Sequence, residues 1–222
     1  MSRKDYVLFD LDGTLTDPKE GITKSVRYAL NHFGIQVDDL DSLTPFIGPP
    51  LTDSYEKYYG FTHEQAWEGV LAYREYFAAQ GWAENKEYPG IREMLRALKD
   101  AGRVLLVATS KPEEFARKIL DHFDMTDYFD FIGGADMDET RVRKADVIRY
   151  VLEQQELELC PENLARCVMV GDREHDVLGA RECQMDCVGV LYGYGDRQEM
   201  EKCGPAWIAG TVAELKDLLL PL

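Results

Sequence analysis

The sequence predicts an α/β protein: a parallel sheet flanked by helices and interrupted by an inserted helical domain. Three observations lead there. Apolar runs end in polar groups at Phe9-Asp10-Leu11-Asp12, at Ala108-Thr109-Ser110 and at Val170-Gly171-Asp172. From Tyr88 onward such runs alternate with segments of helical period, which implies parallel strands joined by crossover helices. Between residues 17 and 84 the pattern is helical and aromatic-rich, with no convincing strand.

Tyr6-Val7-Leu8-Phe9 reads as a strand buried on both faces. Asp17-Pro18-Lys19-Glu20 reads as a helix start, followed by Ile22, Val26, Ala29, Leu30 and Phe33 at helical spacing and Gly34 as a stop. Leu43 to Leu51 is too rich in Pro and Gly for a regular element. A short helix over Thr52–Tyr59 and a longer one over Thr62–Gln80 follow, the latter with Ala66, Val70, Tyr73 and Phe77 on one face. Trp67, Tyr73, Tyr76 and Phe77 are the expected core of this helical insert, and Phe46–Leu51 reads either as a substrate-contacting loop or as a rigid turn.

After Pro89-Gly90, a helix carries Ile91, Met94, Leu95 and Leu98 on one side and ends near Gly102. Val104–Ala108 is a second buried strand ending at Thr109-Ser110-Lys111-Pro112, and a helix runs on to His122. Phe129–Ile132 is a short strand. Lys144–Gln155 is a helix with Val147, Ile148, Val151 and Leu152 on its apolar side. Cys167–Val170, Val188–Leu191 and Trp207–Ile208 are further strands, and Val212–Leu220 closes as a helix. The expected division is a discontinuous core, residues 1–16 with 85–222, around a helical insert, residues 17–84.

With 45% hydrophobic and 30% charged residues, the 222-residue chain has the composition of a soluble globular protein. Its net charge of −16 argues against a nucleic-acid polymer or an anionic membrane surface as partner. An anionic substrate would need a local positive centre, for which a metal ion is the obvious candidate. The five cysteines form no Cys-x-x-Cys pair, so structural zinc and a redox dithiol are not expected. Four apolar residues after Met1–Asp5 are too few for a secretory signal, and no run reaches the length of a membrane span. The expected location is the cytoplasm. Nothing demands more than a monomer.

Buried parallel strands present their functional groups at their carboxyl ends, on one edge of the sheet. Asp10, Asp12, Thr109, Ser110, Asp172 and Asp176 therefore converge. An oxygen-rich, carboxylate-dominated site suits Mg²⁺ better than a metal that prefers thiolate or imidazole. Magnesium binds one or two carboxylates together with a substrate phosphate, so the pattern points to phosphoryl chemistry. His32, His63 and His122 lack ligand spacing and read as surface or packing residues, while His175 lies at the edge of the site.

Asp10-Leu11-Asp12-Gly13-Thr14-Leu15-Thr16 resembles the first motif of the haloacid dehalogenase (HAD) superfamily. Thr109 after its strand resembles the second, Lys144 the third, and Gly171 to Asp176 the fourth. The insert is similar to the C1-type cap. Val190-Leu191-Tyr192-Gly193-Tyr194-Gly195 and Phe46–Leu51 resemble the phosphoglycolate phosphatase branch, which includes 5′-nucleotidase-like proteins. The resemblance spans nearly the whole chain. It departs from the family at Ala145, where members often have Pro after the lysine, so Lys111 and Arg143 stand as rivals of Lys144.

The resemblance implies a Rossmann-like core and a Mg²⁺-dependent phosphatase acting on a small phosphorylated metabolite, a phosphoglycolate-type ester or a nucleoside 5′-monophosphate. Asp10 would be the nucleophile, forming an aspartyl-phosphate, and Asp12 the acid and base. Mg²⁺ would be held by the Asp10 side chain, the Asp12 backbone carbonyl and Asp172. Thr109, Ser110 and Lys144 would hold the phosphate, and Asp176 would orient Lys144 or a water on the ion. The cap would gate the site. A phosphomutase would share these core motifs, and a phosphoacceptor switch or a non-catalytic binding module would share the aspartate. A dehalogenase would not need the acid at position 12.

Overall fold

The computed structural model describes residues 4–138 and 140–222. Met1–Arg3, part of the opening read against a secretory signal, and Glu139 lie outside them. The chain divides into two compact units, one formed by Met1–Asp17 with Glu87–Leu222 and the other by Pro18–Lys86.

The α/β unit is built on six parallel strands. They are β1 (Tyr6–Phe9), β4 (Val104–Pro112), β5 (Phe131–Ala135), β6 (Cys167–Gly171), β7 (Asp186–Val190) and β8 (Trp207–Ala209), in the order β5-β4-β1-β6-β7-β8. Two-residue strands, β2 (Thr16–Asp17) and β3 (Lys86–Glu87), stand where the chain leaves this unit and returns to it. The central strands are continuous apolar runs because both faces are covered. Val7, Leu8 and Phe9 of β1 and Val168, Met169 and Val170 of β6 are fully buried. Register aligns Phe9 with Val107 on one side and Val170 on the other, so the next residue of each strand reaches the same edge.

Helices α4 (Ile91–Asp100), α5 (Glu113–His122), α6 (Lys144–Gln154), α8 (Glu174–Glu182) and α10 (Val212–Leu219) cover the sheet, with the shorter α7 (Pro161–Leu164) and α9 (Arg197–Cys203) between them. Each long one buries an apolar stripe: Ile91, Met94, Leu95 and Leu98 on α4, and Val147, Ile148, Val151 and Leu152 on α6. Four of the five cysteines are buried and none is bridged. Among the described residues no helix is long and apolar enough to cross a membrane.

One strand is longer than its sequence suggests. Thr109-Ser110-Lys111-Pro112 has turn composition, yet β4 runs through it, pairing with β5 beyond a register shift between Ala108 and Pro112. Backbone buried at a sheet edge must find partners, and here the ladder provides them. Correspondingly β5 extends through Gly133-Gly134-Ala135.

The helical unit contains α1 (Lys19–His32), a 3-10 helix over Leu40–Phe46, α2 (Leu51–Tyr59) and α3 (His63–Ala79). A capping box of Thr62 and Gln65 starts α3, and Gly60, left-handed at φ +65°, ends α2. Its core differs from the expected one. Tyr73 and Phe77 are buried and stacked, but Trp67 and Tyr76 are only half-buried. Fully or nearly buried Tyr55, Phe46 and Ile47 take their place, with Phe46 edge-on to Tyr55. Phe46 and Ile47 thus belong to the packing of this unit. Apolar volume decided this, since the Tyr76 hydroxyl reaches out to Glu84.

Candidate active site

Strand order reverses its direction of travel around β1: the chain goes first to β4 and β5, then to β6, β7 and β8. Such a switch point opens a crevice at the carboxyl ends of the strands. Asp10 follows β1 directly, and its N–H donates to the Val170 carbonyl of β6 at 2.9 Å. Asp172 follows β6, and Lys144 opens α6.

From these three starts the side chains meet. Lys144 Nζ lies 2.8 Å from Asp10 Oδ1 and 2.8 Å from Asp176 Oδ1, and it donates to the Ala108 carbonyl at 3.1 Å. Asp10, Asp172 and Asp176 each present a carboxylate oxygen within 4.8 Å of the others. The Asp12 carboxylate is turned elsewhere, with Oδ2 2.7 Å from Lys111 Nζ. Its Oδ1 is buried without a hydrogen-bond partner. Gly13 makes the turn behind Asp12 at φ +82°, and a Cβ there would lie 2.2 Å from Asp172 Oδ2. Only glycine admits both that dihedral and that approach.

Burial dominates the electrostatics. Asp172 is fully buried and raised well above the ordinary carboxylate range, by desolvation first and then by Asp176 and Asp10. Its donors are the Tyr194 N–H at 2.7 Å and the Thr14 hydroxyl at 3.4 Å, both neutral. Asp12 is raised by burial against the pull of Lys111. Asp176 is pushed up to about 6 by burial, which outweighs Lys144. Burial also works against the charge of Lys144, but Asp10 and Asp176 overcome it and hold the ammonium above the usual lysine range.

Four buried carboxylates, Asp10, Asp12, Asp172 and Asp176, share two buried ammonium groups, Lys111 and Lys144. Fully ionised, the cluster carries two excess negative charges, and Asp172 has no cationic partner among the described residues. A divalent cation bound by hard oxygen ligands matches both the charge and the donor set. The residues present fit such an ion.

Among the other candidates, Thr109 is buried, and its hydroxyl accepts from the Lys111 N–H at 3.2 Å. Ser110 is half-buried at the carboxyl end of β4. Arg143 is exposed and pairs with Glu182 at 3.1 Å, away from Asp10. His32 and His63 are exposed and pair with Glu68 and Glu56, and His122 is exposed as well. Half-buried His175 is lowered, chiefly by burial. Sequence reasoning missed Tyr194 as a donor to Asp172. The signal is the Tyr192-Gly193-Tyr194-Gly195 run just after a strand.

Comparison with known proteins fits this geometry. The haloacid dehalogenase-like hydrolase family matches residues 7–190. The chain is 45% identical over 213 residues to a 5′-nucleotidase of Pseudomonas aeruginosa, covering 96% of this chain and 94% of the relative. It is 44% identical over 215 residues to the tyrosine-protein kinase PtkA of Mycobacterium tuberculosis, covering 96% and 72%. A crystal structure of a predicted phosphatase from Clostridium acetobutylicum superposes with a TM-score of 0.95 at 48% identity, covering all of both chains. The chain belongs to the haloacid dehalogenase-like hydrolase family and is a phosphatase of that family.

Proposed function

We propose that the chain is a Mg²⁺-dependent phosphomonoesterase acting on small phosphorylated metabolites through an aspartyl-phosphate, with nucleoside 5′-monophosphates the first class to test. The observation that carries this reading is the cluster of Asp10, Asp172 and Asp176, with Lys144 between the first and the last. The named activity of the Pseudomonas relative supports the nucleotide class.

In the first half-reaction an Asp10 oxygen attacks phosphorus, and the ester P–O bond breaks. The departing alkoxide takes a proton from Asp12, whose burial favours the protonated form at the start. In the second, water attacks the phosphorus of the acyl-phosphate and gives its proton back to Asp12. Inorganic phosphate leaves and the Asp10 carboxylate is restored. Lys144, Thr109 and Ser110 hold phosphate oxygens as charge shifts. Asp176 keeps Lys144 aimed at Asp10. The Asp10 and Asp172 side chains and the Asp12 carbonyl would hold Mg²⁺, which supplies positive charge to the phosphate when bound. Residues 17–84, the helical insert, are assigned the role of a cap that selects among esters, and a monomer in the cytoplasm is sufficient for this chemistry.

Release of inorganic phosphate from a panel of 5′-monophosphates and 2-phosphoglycolate, with and without Mg²⁺, tests the reading. Turnover should require the metal and disappear in Asp10→Asn. Turnover that survives Asp10→Asn would sink it.

The relative named as a tyrosine-protein kinase supports a second reading, in which the acyl-phosphate on Asp10 passes to a tyrosine hydroxyl rather than to water. ATP would then be the phosphoryl donor, leaving as ADP. Incubation with γ-labelled ATP and a tyrosine-containing protein would label tyrosine under this reading and leave it unlabelled under the first.

A further inference from the structure

The loop after β7 has no part in the chemistry above, yet it touches three separate pieces of the site. The Tyr192 hydroxyl donates to the Thr14 carbonyl at 3.0 Å, in the turn behind Asp12. The Tyr194 backbone N–H donates to Asp172 Oδ2 at 2.7 Å. The Tyr194 hydroxyl donates to the Asp17 carboxylate. Asp17 is the last residue of the α/β unit before the chain enters the helical one.

The glycines on either side of Tyr194 permit this approach. A Cβ on Gly193 would lie 2.3 Å from the Gly13 carbonyl oxygen and 2.5 Å from Asp172 Cβ. A Cβ on Gly195 would lie 1.9 Å from the Asp172 carbonyl oxygen. The loop is therefore pressed onto Asp172 from two sides, closer than any side chain would allow.

Asp172 needs orienting from outside. Of its two donors the Thr14 hydroxyl is long, at 3.4 Å, so the Tyr194 N–H is the bond that sets the carboxylate's direction. A neutral backbone donor orients the group without cancelling its charge, which leaves that charge for a cation. The N–H stays in place because the same residue is tethered at its other end to Asp17.

We infer that Tyr194 is a positioning residue for the divalent-metal site, acting through Asp172, and that its hydroxyl bond to Asp17 ties the metal ligand to the point where the chain crosses between units. This inference rests on the metal reading proposed above.

Direct Mn²⁺ binding, followed by the loss of the free-ion paramagnetic resonance signal, tests it on the full chain. The variants are Tyr194→Phe, Asp17→Ala, their double and Gly195→Ala, each with its metal-free melting temperature recorded. Tyr194→Phe and Asp17→Ala remove the tether but keep the N–H, so each should weaken Mn²⁺ binding severalfold, up to the about 10-fold expected when an outer-shell partner is removed outright. The double variant should lose less than the sum of the two single losses, because the Tyr194–Asp17 bond is common to both. Gly195→Ala should weaken binding at least as much.

Wild-type-like binding by Tyr194→Phe, additive losses in the double variant, or losses that follow the drop in melting temperature would each overturn the inference. If Tyr194→Phe does not fold, Asp17→Ala carries the same comparison. Failure of the wild-type chain to bind Mn²⁺ would instead remove the metal reading itself, and this inference with it.

Discussion

Lys144 and Asp10 meet at 2.8 Å, both buried, although 134 residues of chain separate them. The same ammonium serves Asp176 at 2.8 Å. One cation thus balances the carboxylate at the end of β1 against the one on α8, and the first turn of α6 is held by that demand. A cation in the first turn opposes the helix dipole, and two acids at hand outweigh that cost.

Replacing Lys144 by Met should leave Asp10 and Asp176 buried without their cation. Removing one partner of a buried ionic group costs about 3–5 kcal/mol. Urea unfolding at neutral pH should show a loss of that order, shrinking as the pH falls and Asp176, pushed up to about 6 even beside its cation, takes up a proton. Phosphatase turnover should be abolished. Equal stability of variant and wild type would contradict the arrangement.

Asp172→Asn should have opposite effects with and without metal. The wild-type carboxylate is buried beside Asp10 and Asp176 with neutral donors only, so the metal-free variant should be more stable, by about 1–3 kcal/mol. Saturating Mg²⁺ stabilises a protein that binds it, by about 2.7 kcal/mol at a hundred times the dissociation constant. That gain should be present in the wild-type chain and absent in the variant. Calorimetry in chelator and in Mg²⁺ reads both effects.

Metal-free stability should rise as the pH falls from neutral toward about 5. Asp12, Asp172 and Asp176 are all raised in the folded chain, Asp176 to about 6, from an ordinary value of 3.8. Between those values the native state binds protons that the unfolded chain releases, so acidification favours folding. His175, lowered by burial, opposes this in the same window, as one group against three. Glu20, Glu93, Asp136 and Glu182 are shifted downward and withdraw their stabilisation only at more acidic pH. Mg²⁺ holds the site's carboxylates ionised and should flatten or reverse the slope. A metal-free melting temperature that only falls over this range would count against the buried excess of charge.

Lys111→Met should shift the pH profile of the reaction. Lys111 sits 2.7 Å from Asp12 Oδ2 and draws that acid downward against its burial. Without the ammonium, Asp12 rises further and keeps its proton to higher pH. The alkaline limb of kcat/KM should move upward while kcat falls, since the second half-reaction needs Asp12 as a base. An unmoved limb would separate Asp12 from proton transfer.

Much of this protein is written locally. The apolar run Tyr6–Phe9 with carboxylates directly behind it, the alternation from Tyr88 onward and the aromatic helical stretch before it are short-range patterns, and burial on two faces or one leaves its period in the residues. They were enough for the parallel sheet, the edge on which its polar groups gather and the family. Tertiary structure decided what proximity in sequence cannot. Arg143 and Lys144 are neighbours, but successive residues of a helix start point in different directions, so one reaches Glu182 at the surface and the other Asp10 in the interior. Asp12 stands two residues from Asp10 yet faces Lys111, while Asp176, on another element, joins the three-carboxylate cluster. Thr109 to Pro112 has the composition of a turn and becomes strand because β5 pairs beside it. Tyr194 became a neighbour of Asp172 only when two glycines let one loop settle on another. Local pattern records what each segment buries. Which charges then share a buried space depends on contacts between segments far apart in the chain, and those exist only once the sheet is assembled.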